Sequence, residues 1–224
     1  MKKILRIFLA CTMLFALAGC SGGGATTSQT SETESAVSET LSQPEEGGTE
    51  STVQTNETGE TDSGESGVLV AYFSWSGNTE MVANLIAQQT GGDLFEITPA
   101  NPYTDDYDTL LDIARQEQAE DARPELANTV ENWDSYDVVF VGYPNWWSDA
   151  PMAVYTFLEA YDFTGKTLIP FNTSSSGGFG RSLDGVAQSA PGAEILEGLA
   201  LTENELDDAS SRVSAWLSGL GLSR

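Results

Sequence analysis

The sequence predicts an α/β fold in which helices cover both faces of a doubly wound parallel sheet. Two observations lead to this prediction. Short apolar segments alternate along the chain with longer segments of helical periodicity. Polar, glycine-rich loops directly follow three of the apolar segments. Strands that alternate with helices form parallel sheets, and such sheets bind ligands beyond the carboxyl ends of their strands.

Five strands are predicted, each an apolar segment bounded by turn or loop residues. They cover residues 68–73, 93–98, 137–144, 167–171 and 193–201. The first and third, VLVAYF and DVVFVGYP, are nearly continuous runs of apolar, β-branched and aromatic residues, which is typical of strands buried on both faces.

Five helices are predicted between and after these strands. They cover residues 79–89, 107–120, a segment after Pro151, 181–188 and 203–217. Gly91 and Gly92 end the first helix, because glycine readily adopts the left-handed conformation found at helix ends. The last helix is amphipathic, and its predicted inward side chains are Leu206, Val213, Trp216 and Leu217.

The amino-terminal segment has the features of a bacterial secretory signal peptide. Three basic residues precede an apolar run at residues 7–17, which is shorter than the roughly 20 residues that span a bilayer. The following LAGC sequence resembles a lipobox, in which Cys20 is lipidated and becomes the mature amino terminus. We therefore expect residues 1–19 to be a lipoprotein signal peptide, with an ordinary cleaved signal peptide as the alternative.

Residues 20–67 are predicted to be a lipidated cysteine followed by a disordered tether. After Cys20 this segment has no aromatic residue, lysine or arginine, and it carries ten carboxylates among Ser, Thr and Gly. Such a composition cannot bury enough apolar surface to offset the entropy of ordering. Residues 68–224 then form one folded domain, held outside the cytoplasm and joined to the bacterial cell membrane only through the lipid anchor.

Two absences restrict the chemistry of this domain. The chain has no histidine, and both cysteines, Cys11 and Cys20, precede residue 68. Disulfides, Cys/His zinc sites, Ser-His-Asp triads and imidazole bases are therefore excluded from the domain. No metal site and no catalytic side chain are predicted, so any chemistry must use a cofactor or carboxylates.

The charge of the domain restricts its partners. Residues 68–224 contain twenty-four acidic and six basic residues, a net charge of about −18. Nucleic acid is therefore not an expected partner, because its phosphates would be repelled. A partner protein with a basic patch would be attracted, although the same charge also serves solubility.

The loop SWSGNT, residues 74–79, is predicted to bind an anion. A chain that turns at Gly77 and enters a helix directs several backbone N–H groups at one point. Ser74, Ser76, Asn78 and Thr79 can each donate a further hydrogen bond, so a phosphate could be held without a basic residue. The alternative is that one of these side chains only caps the helix.

The two later loops are predicted to bind a flat aromatic group. Trp146 and Trp147 follow a strand end, where a flat ligand could stack on them. The alternative is that at least one of them packs into the core. In the loop at residues 171–180, glycines allow the backbone to approach the edge of a ring closely.

Four segments together resemble the flavodoxin-like family of FMN-binding proteins, in its short-chain branch. They are VLVAYFSWSGNT (68–79), ARPEL (122–126), YPNWWSDAP (143–151) and FNTSSSGGFG (171–180). The resemblance covers residues 68–217 and implies a five-stranded sheet in the order 2-1-3-4-5, with an uninterrupted fifth strand. Relatives usually have glycine at the position of Ser148 and the reverse order at Ser176-Gly177, so the ring-edge contacts of this chain are expected to differ.

The resemblance also implies FMN as the cofactor and assigns residues to it. The phosphate would be bound by Ser74, Trp75, Ser76, Gly77, Asn78 and Thr79. The flavin ring would lie between Pro144, Asn145, Trp146 and Trp147 on one side and Thr173, Ser174, Gly177 and Gly178 on the other.

The expected function is that of a low-potential electron-transfer lipoprotein, because the acidic domain opposes the charge that a reduced flavin gains. Its partner would be a redox protein with a basic patch or a small quinone-like acceptor. One alternative is an NAD(P)H-dependent quinone or nitro reductase, although Arg181, at the end of the third loop, is the only basic residue in or directly beside the three loops. A second alternative is a non-redox module that binds flavin or another phosphorylated ligand.

Overall fold

The structure is a computed structural model that describes residues 67–223. The predicted signal peptide, Cys20 and all but the last residue of the predicted tether lie outside this range. The strands are β1 (Gly67–Tyr72), β2 (Asp93–Glu96), β3 (Tyr136–Pro144), β4 (Thr167–Ser174), β5 (Glu194–Ile195) and β6 (Leu199–Thr202). The helices are α1 (Asn78–Thr90), α2 (Tyr107–Glu120), α3 (Met152–Glu159), α4 (Ser182–Ser189) and α5 (Ala209–Leu220).

The strands form one parallel sheet in the order β2-β1-β3-β4-β5, which confirms the predicted doubly wound fold. β6 continues along β4 beyond β5, also in parallel. β3 and β4 stay paired as far as Pro144 and Thr173, so the loops that follow them begin side by side. The loop after β1 opens at the same edge of the sheet, because parallel strands share one carboxyl edge.

The predicted fifth strand is interrupted, which corrects the expectation of a continuous strand. The carbonyls of Lys166, just before β4, and of Leu168 accept hydrogen bonds from the N–H groups of Glu194 and Leu196, so every second residue of this segment faces the fifth strand. Pro170 is next in this series and has no N–H to donate, so the ladder stops there. Gly198 then passes so close to Pro170 that a Cβ would lie 2.6 Å from the Pro170 carbonyl oxygen.

Each face of the sheet is covered by its own hydrophobic core. Adjacent strand residues alternate between the two cores, as Leu69 and Val70 show. One core includes residues of α3 and α4, and the other includes residues of α1 and α5. Within residues 67–223, no helix has the length and apolar character needed to cross a membrane.

The chain end differs slightly from its predicted helix, because a short 3-10 helix at Glu203–Asp208 precedes α5. Val213 and Leu217 are fully buried, as predicted. Leu206 and Trp216 are partly buried and pack against the same core.

Candidate functional site

Two adjoining cavities lie at the carboxyl edge of the sheet, with volumes of about 450 and 190 Å³. Trp75, Tyr107, Asn145, Trp146 and Ser175 line both of them. The larger cavity, here called the ring cavity, extends towards α2 and Trp147. The smaller one, here called the phosphate cavity, extends towards Asn78 at the start of α1.

The start of α1 leaves backbone donors available beside the phosphate cavity. Gly77 has φ of +87°, and no side chain caps the helix. The N–H groups of Asn78, Thr79 and Glu80 have no acceptor among residues 67–223. Ser74 is used differently, because its hydroxyl accepts a hydrogen bond of 3.2 Å from the Gly77 N–H. The free N–H groups and the positive end of the helix favour an anion here.

A buried pair of hydroxyls lies behind these donors. The side chains of Thr79 and Thr173 are 2.8 Å apart and almost fully buried, and they join the first loop to the end of β4. Whichever hydroxyl donates, the other keeps its own proton available, so the pair can still supply one hydrogen bond.

The second loop contains a tight two-residue turn. The backbones of Trp146 and Asp149 exchange two hydrogen bonds, of 2.8 and 3.0 Å. Trp147 and Ser148 between them have φ of +51° and +62°, as in a type I′ turn. This conformation disfavours residues with a Cβ by about 1–2 kcal/mol each, so the turn is strained at both positions.

The two tryptophans of this turn have different environments. Trp146 is partly buried, and its ring meets those of Phe73 and Tyr103 edge to face, with centroids 5.3 and 5.2 Å away. Trp147 is 41% exposed, and its indole N–H donates to the Leu111 carbonyl. The alternative of a tryptophan packed against the core therefore applies to Trp146, which nevertheless lines both cavities.

A buried carboxylate holds the strained turn in place. Asp149 accepts from the Tyr155 hydroxyl and the Ala150 N–H with one oxygen, and from the Arg181 guanidinium at 2.6 Å with the other. The Arg181 backbone N–H also donates to the Ser148 carbonyl. Burial, followed by the hydrogen bond to Asp149, raises the pKa of Tyr155, so its hydroxyl remains a donor.

The third loop is joined to the second at several points. The Asn145 N–H donates to the Thr173 carbonyl, and its side-chain amide donates to the Gly178 carbonyl. Gly177, Gly178 and Gly180 all have positive φ. At Gly180 a Cβ would lie 2.3 Å from the Ser148 carbonyl oxygen, so only glycine allows this approach of the two loops.

The structure brings ten of the fourteen predicted cofactor residues to the two cavities. These are Trp75, Ser76, Asn78, Pro144, Asn145, Trp146, Trp147, Thr173, Ser174 and Gly177. The other four lie beside them: Gly77 and Thr79 at the start of α1, Gly178 in the third loop, and Ser74 against a neighbouring cavity shared with Trp75.

Sequence reasoning missed the wall that α2 provides. Tyr107, Leu110, Leu111 and Ala114 all line the ring cavity. The spacing of Tyr107, Leu111 and Arg115, each four residues apart, could have indicated this wall, because it places them on one helix face. That face lies beside the buried face of Leu110 and Ala114. Glu203 and Leu206, which line the phosphate cavity, were also missed.

Among residues 67–223, no basic side chain lines the phosphate cavity, and Glu203 is the only charged residue in its wall. Arg181, which directly follows the third loop, is paired with Asp149 at the other side of the turn. An anion in this cavity would therefore be held by N–H and hydroxyl groups alone.

Comparison with known proteins identifies related sequences and folds. The model of the family described as Flavodoxin matches residues 67–219. A candidate flavoprotein from Bacteroides eggerthii DSM 20697 is 36% identical, with 70% of this chain and 99% of that chain covered and a TM-score of 0.62. Another from Bacteroides uniformis ATCC 8492 is 32% identical, with 66% and 98% covered and a TM-score of 0.60.

A more distant structure shares the fold. It is a flavoprotein from Lactobacillus acidophilus NCFM in complex with FMN, 22% identical, with 65% of this chain and 99% of that chain covered and a TM-score of 0.52. No curated protein matches this chain.

Proposed function

The chain belongs to the flavodoxin family, and on that premise we propose that it binds FMN and acts as a low-potential electron-transfer protein at the outer face of a membrane. The observation that carries the proposal is the set of free N–H groups at the start of α1, which opens on a cavity with aromatic walls.

The residues present fit the two chemically different ends of FMN. A phosphate suits Asn78, Thr79 and Glu80, whose backbone donors have no other acceptor among the described residues. A flat ring system suits the ring cavity, which Trp75, Trp146 and Trp147 help to line. Bound FMN would supply reversible electron transfer, which the side chains of a domain without thiols do not provide.

The side chains around the ring cavity would bind, orient and exclude water. Asn145 joins the second loop to the third by two hydrogen bonds, which fixes the spacing between them. Asp149 and Arg181 hold the turn that presents Trp147. Because these contacts join protein groups to one another, they do not need the ligand as a partner and would limit the ordering entropy lost on binding.

The acidic character of the domain supports a low reduction potential. With a net charge of about −18 on residues 68–224, a further negative charge in the cavities is opposed. One carboxylate about 10 Å away, at an effective dielectric constant of about 20, disfavours such a charge by about 1.7 kcal/mol. Glu203 in the cavity wall contributes to this effect directly.

The proposed location rests on the amino-terminal sequence. The lipobox-like LAGC predicts a lipid anchor at Cys20, and the acidic segment up to residue 67 predicts a tether that carries the domain away from the membrane. The proposed partner is a redox protein with a basic patch or a small quinone-like acceptor.

An absorption experiment on residues 67–224 tests this function, because this segment matches its relatives over almost their full length. The domain is purified with and without added FMN, then treated anaerobically with NADH or NADPH and finally with dithionite. A yellow protein that bleaches only with dithionite or a partner reductase is the expected result. Bleaching by NADH or NADPH alone would identify a reductase, and a protein that never takes up flavin would contradict both redox functions.

A further inference from the structure

Arg115 differs from every other basic side chain of residues 67–223 in having no acidic or carbonyl partner. The others are engaged: Arg123 with Asp121 and Glu159, Arg181 with Asp149, Arg212 with Glu205, and Lys166 with the carbonyls of Trp133 and Tyr136. In a domain with four acidic residues for each basic one, an exposed cation without a counterion is unexpected.

The position of Arg115 is equally specific. Its guanidinium carbon lies 4.1 Å from the centroid of the Trp147 ring. Trp147 is itself held by its hydrogen bond to Leu111 and lines the ring cavity. Only the Trp147 ring therefore separates the unpaired positive charge of Arg115 from the ring cavity.

The contact with Trp147 leaves the Arg115 guanidinium able to bind an anion. The guanidinium has five N–H donors, and no carboxylate or carbonyl among residues 67–223 accepts a hydrogen bond from them. The acidic surface elsewhere on the domain repels an approaching anion, whereas Arg115 attracts it. An anionic group is therefore expected to bind at Arg115.

We infer that Arg115 and Trp147 form a binding site for a flat aromatic molecule that carries an anionic group, with the ring against the mouth of the ring cavity and the anion on Arg115. This inference rests on the proposed function, since the bound molecule would be the electron donor or acceptor of the FMN site. The anion could be the phosphate of a nicotinamide dinucleotide or an acidic substituent of a quinone-like acceptor.

Calorimetric titration of residues 67–224, both FMN-free and FMN-loaded, tests the site directly. The titrants are 1,4-naphthoquinone-2-sulfonate and the uncharged 2-methyl-1,4-naphthoquinone. In Arg115→Gln we expect the sulfonate to bind about five- to tenfold more weakly, with the uncharged quinone unchanged, because one nearby charge is lost. The matched control is Arg212→Gln, which removes an exposed arginine paired with Glu205 and should change neither affinity.

A third titrant, NADH, separates the two sources of the anion. If NADH also binds more weakly to Arg115→Gln, the site receives a dinucleotide donor; if NADH binds to neither protein, it receives an acidic acceptor. Equal affinity of wild type and Arg115→Gln for the sulfonate, or no binding of the sulfonate to wild type, would overturn the inference. Failure to take up FMN would contradict the proposed function alone, since the FMN-free titration still tests Arg115.

Discussion

The phosphate cavity and the ring cavity are built in different ways. The phosphate cavity depends on the start of one helix, where Gly77 turns the chain and successive N–H groups remain free. The ring cavity depends on α2 and on the second and third loops. Hydrogen bonds of Asn145 and Asp149 and the close approach of Gly180 to Ser148 join the two loops, and the hydrogen bond from Trp147 to Leu111 joins the second loop to α2. The first is a local property of the sequence, and the second exists only once the chain has folded.

The two regions also differ in strain. At the phosphate cavity the left-handed position is occupied by glycine, which adopts it at little cost. In the turn beside the ring cavity, left-handed positions are occupied by Trp147 and Ser148. Strain of this kind persists only where surrounding contacts hold it, and Asp149, Arg181 and Leu111 provide those contacts.

The largest expected effect comes from adding one methyl group to a glycine in each region. Gly180→Ala should lower the free energy of unfolding by about 3 kcal/mol or more, because the new Cβ overlaps the Ser148 carbonyl and φ is positive. Gly77→Ala has only the dihedral penalty of about 1–2 kcal/mol, since its Cβ would meet nothing within 4 Å. Urea unfolding of both variants measures this difference. Equal losses of unfolding free energy in Gly180→Ala and Gly77→Ala would contradict the view that only the ring cavity depends on close contact between loops.

Removal of the charge on Asp149 should have the next largest effect. Asp149→Asn places an amide donor against Arg181 and is expected to lower the free energy of unfolding by about 1–3 kcal/mol. FMN affinity should fall as well, because the turn that presents Trp147 loses its support.

The matched control for Asp149 is Asp121→Asn, which weakens an exposed ion pair with Arg123 and should change stability by less than about 1 kcal/mol. Urea unfolding and FMN titration of both variants supply the measurement. Unchanged FMN affinity in Asp149→Asn would show that the contacts of Asp149 do not support FMN binding.

A smaller effect is expected from Glu203 at the phosphate cavity. Glu203→Gln removes the one charge that the described part of the chain places in the cavity wall, and it should tighten FMN binding about three- to tenfold at low salt. Glu194→Gln is the control, because Glu194 pairs near the opposite end of β4. Titration of both variants with FMN at two salt concentrations measures the effect, and equal affinity for wild type and Glu203→Gln would contradict it.

The smallest effect is a gain in stability at the strained turn. Ser148→Gly should raise the free energy of unfolding by about 0.5–1 kcal/mol, since relief of the left-handed conformation exceeds the added freedom of the unfolded chain. Ser176→Gly is the control, because Ser176 has no positive φ. This substitution only adds conformational freedom to the unfolded chain and relieves no strain. Urea unfolding that shows the same change in both variants would argue against strain at Ser148.

The fold and the phosphate cavity could be predicted from the sequence because their signals are local. Apolar runs placed the strands, and α2 was predicted at its observed bounds. The break between β5 and β6 was missed, because it depends on which residues of β4 face the fifth strand and hence on the position of Pro170.

The ring cavity was predicted only in part, because its walls come from distant segments. The exposure of Trp147 and the partial burial of Trp146 follow from the turn at Trp147 and Ser148. Neither left-handed residue of this turn is glycine, so the sequence does not indicate the turn. The place of Arg115 over Trp147 depends on how α2 packs beside the second loop, which no local pattern records.

The central claim is that backbone donors at the start of α1 bind the phosphate of FMN without a basic side chain. Calorimetric titration of residues 67–224 with FMN and with riboflavin, which lacks the phosphate, tests it most directly. FMN is expected to bind about a hundredfold more tightly than riboflavin, as a few charge-assisted hydrogen bonds would provide. Equal affinities for FMN and riboflavin would contradict it.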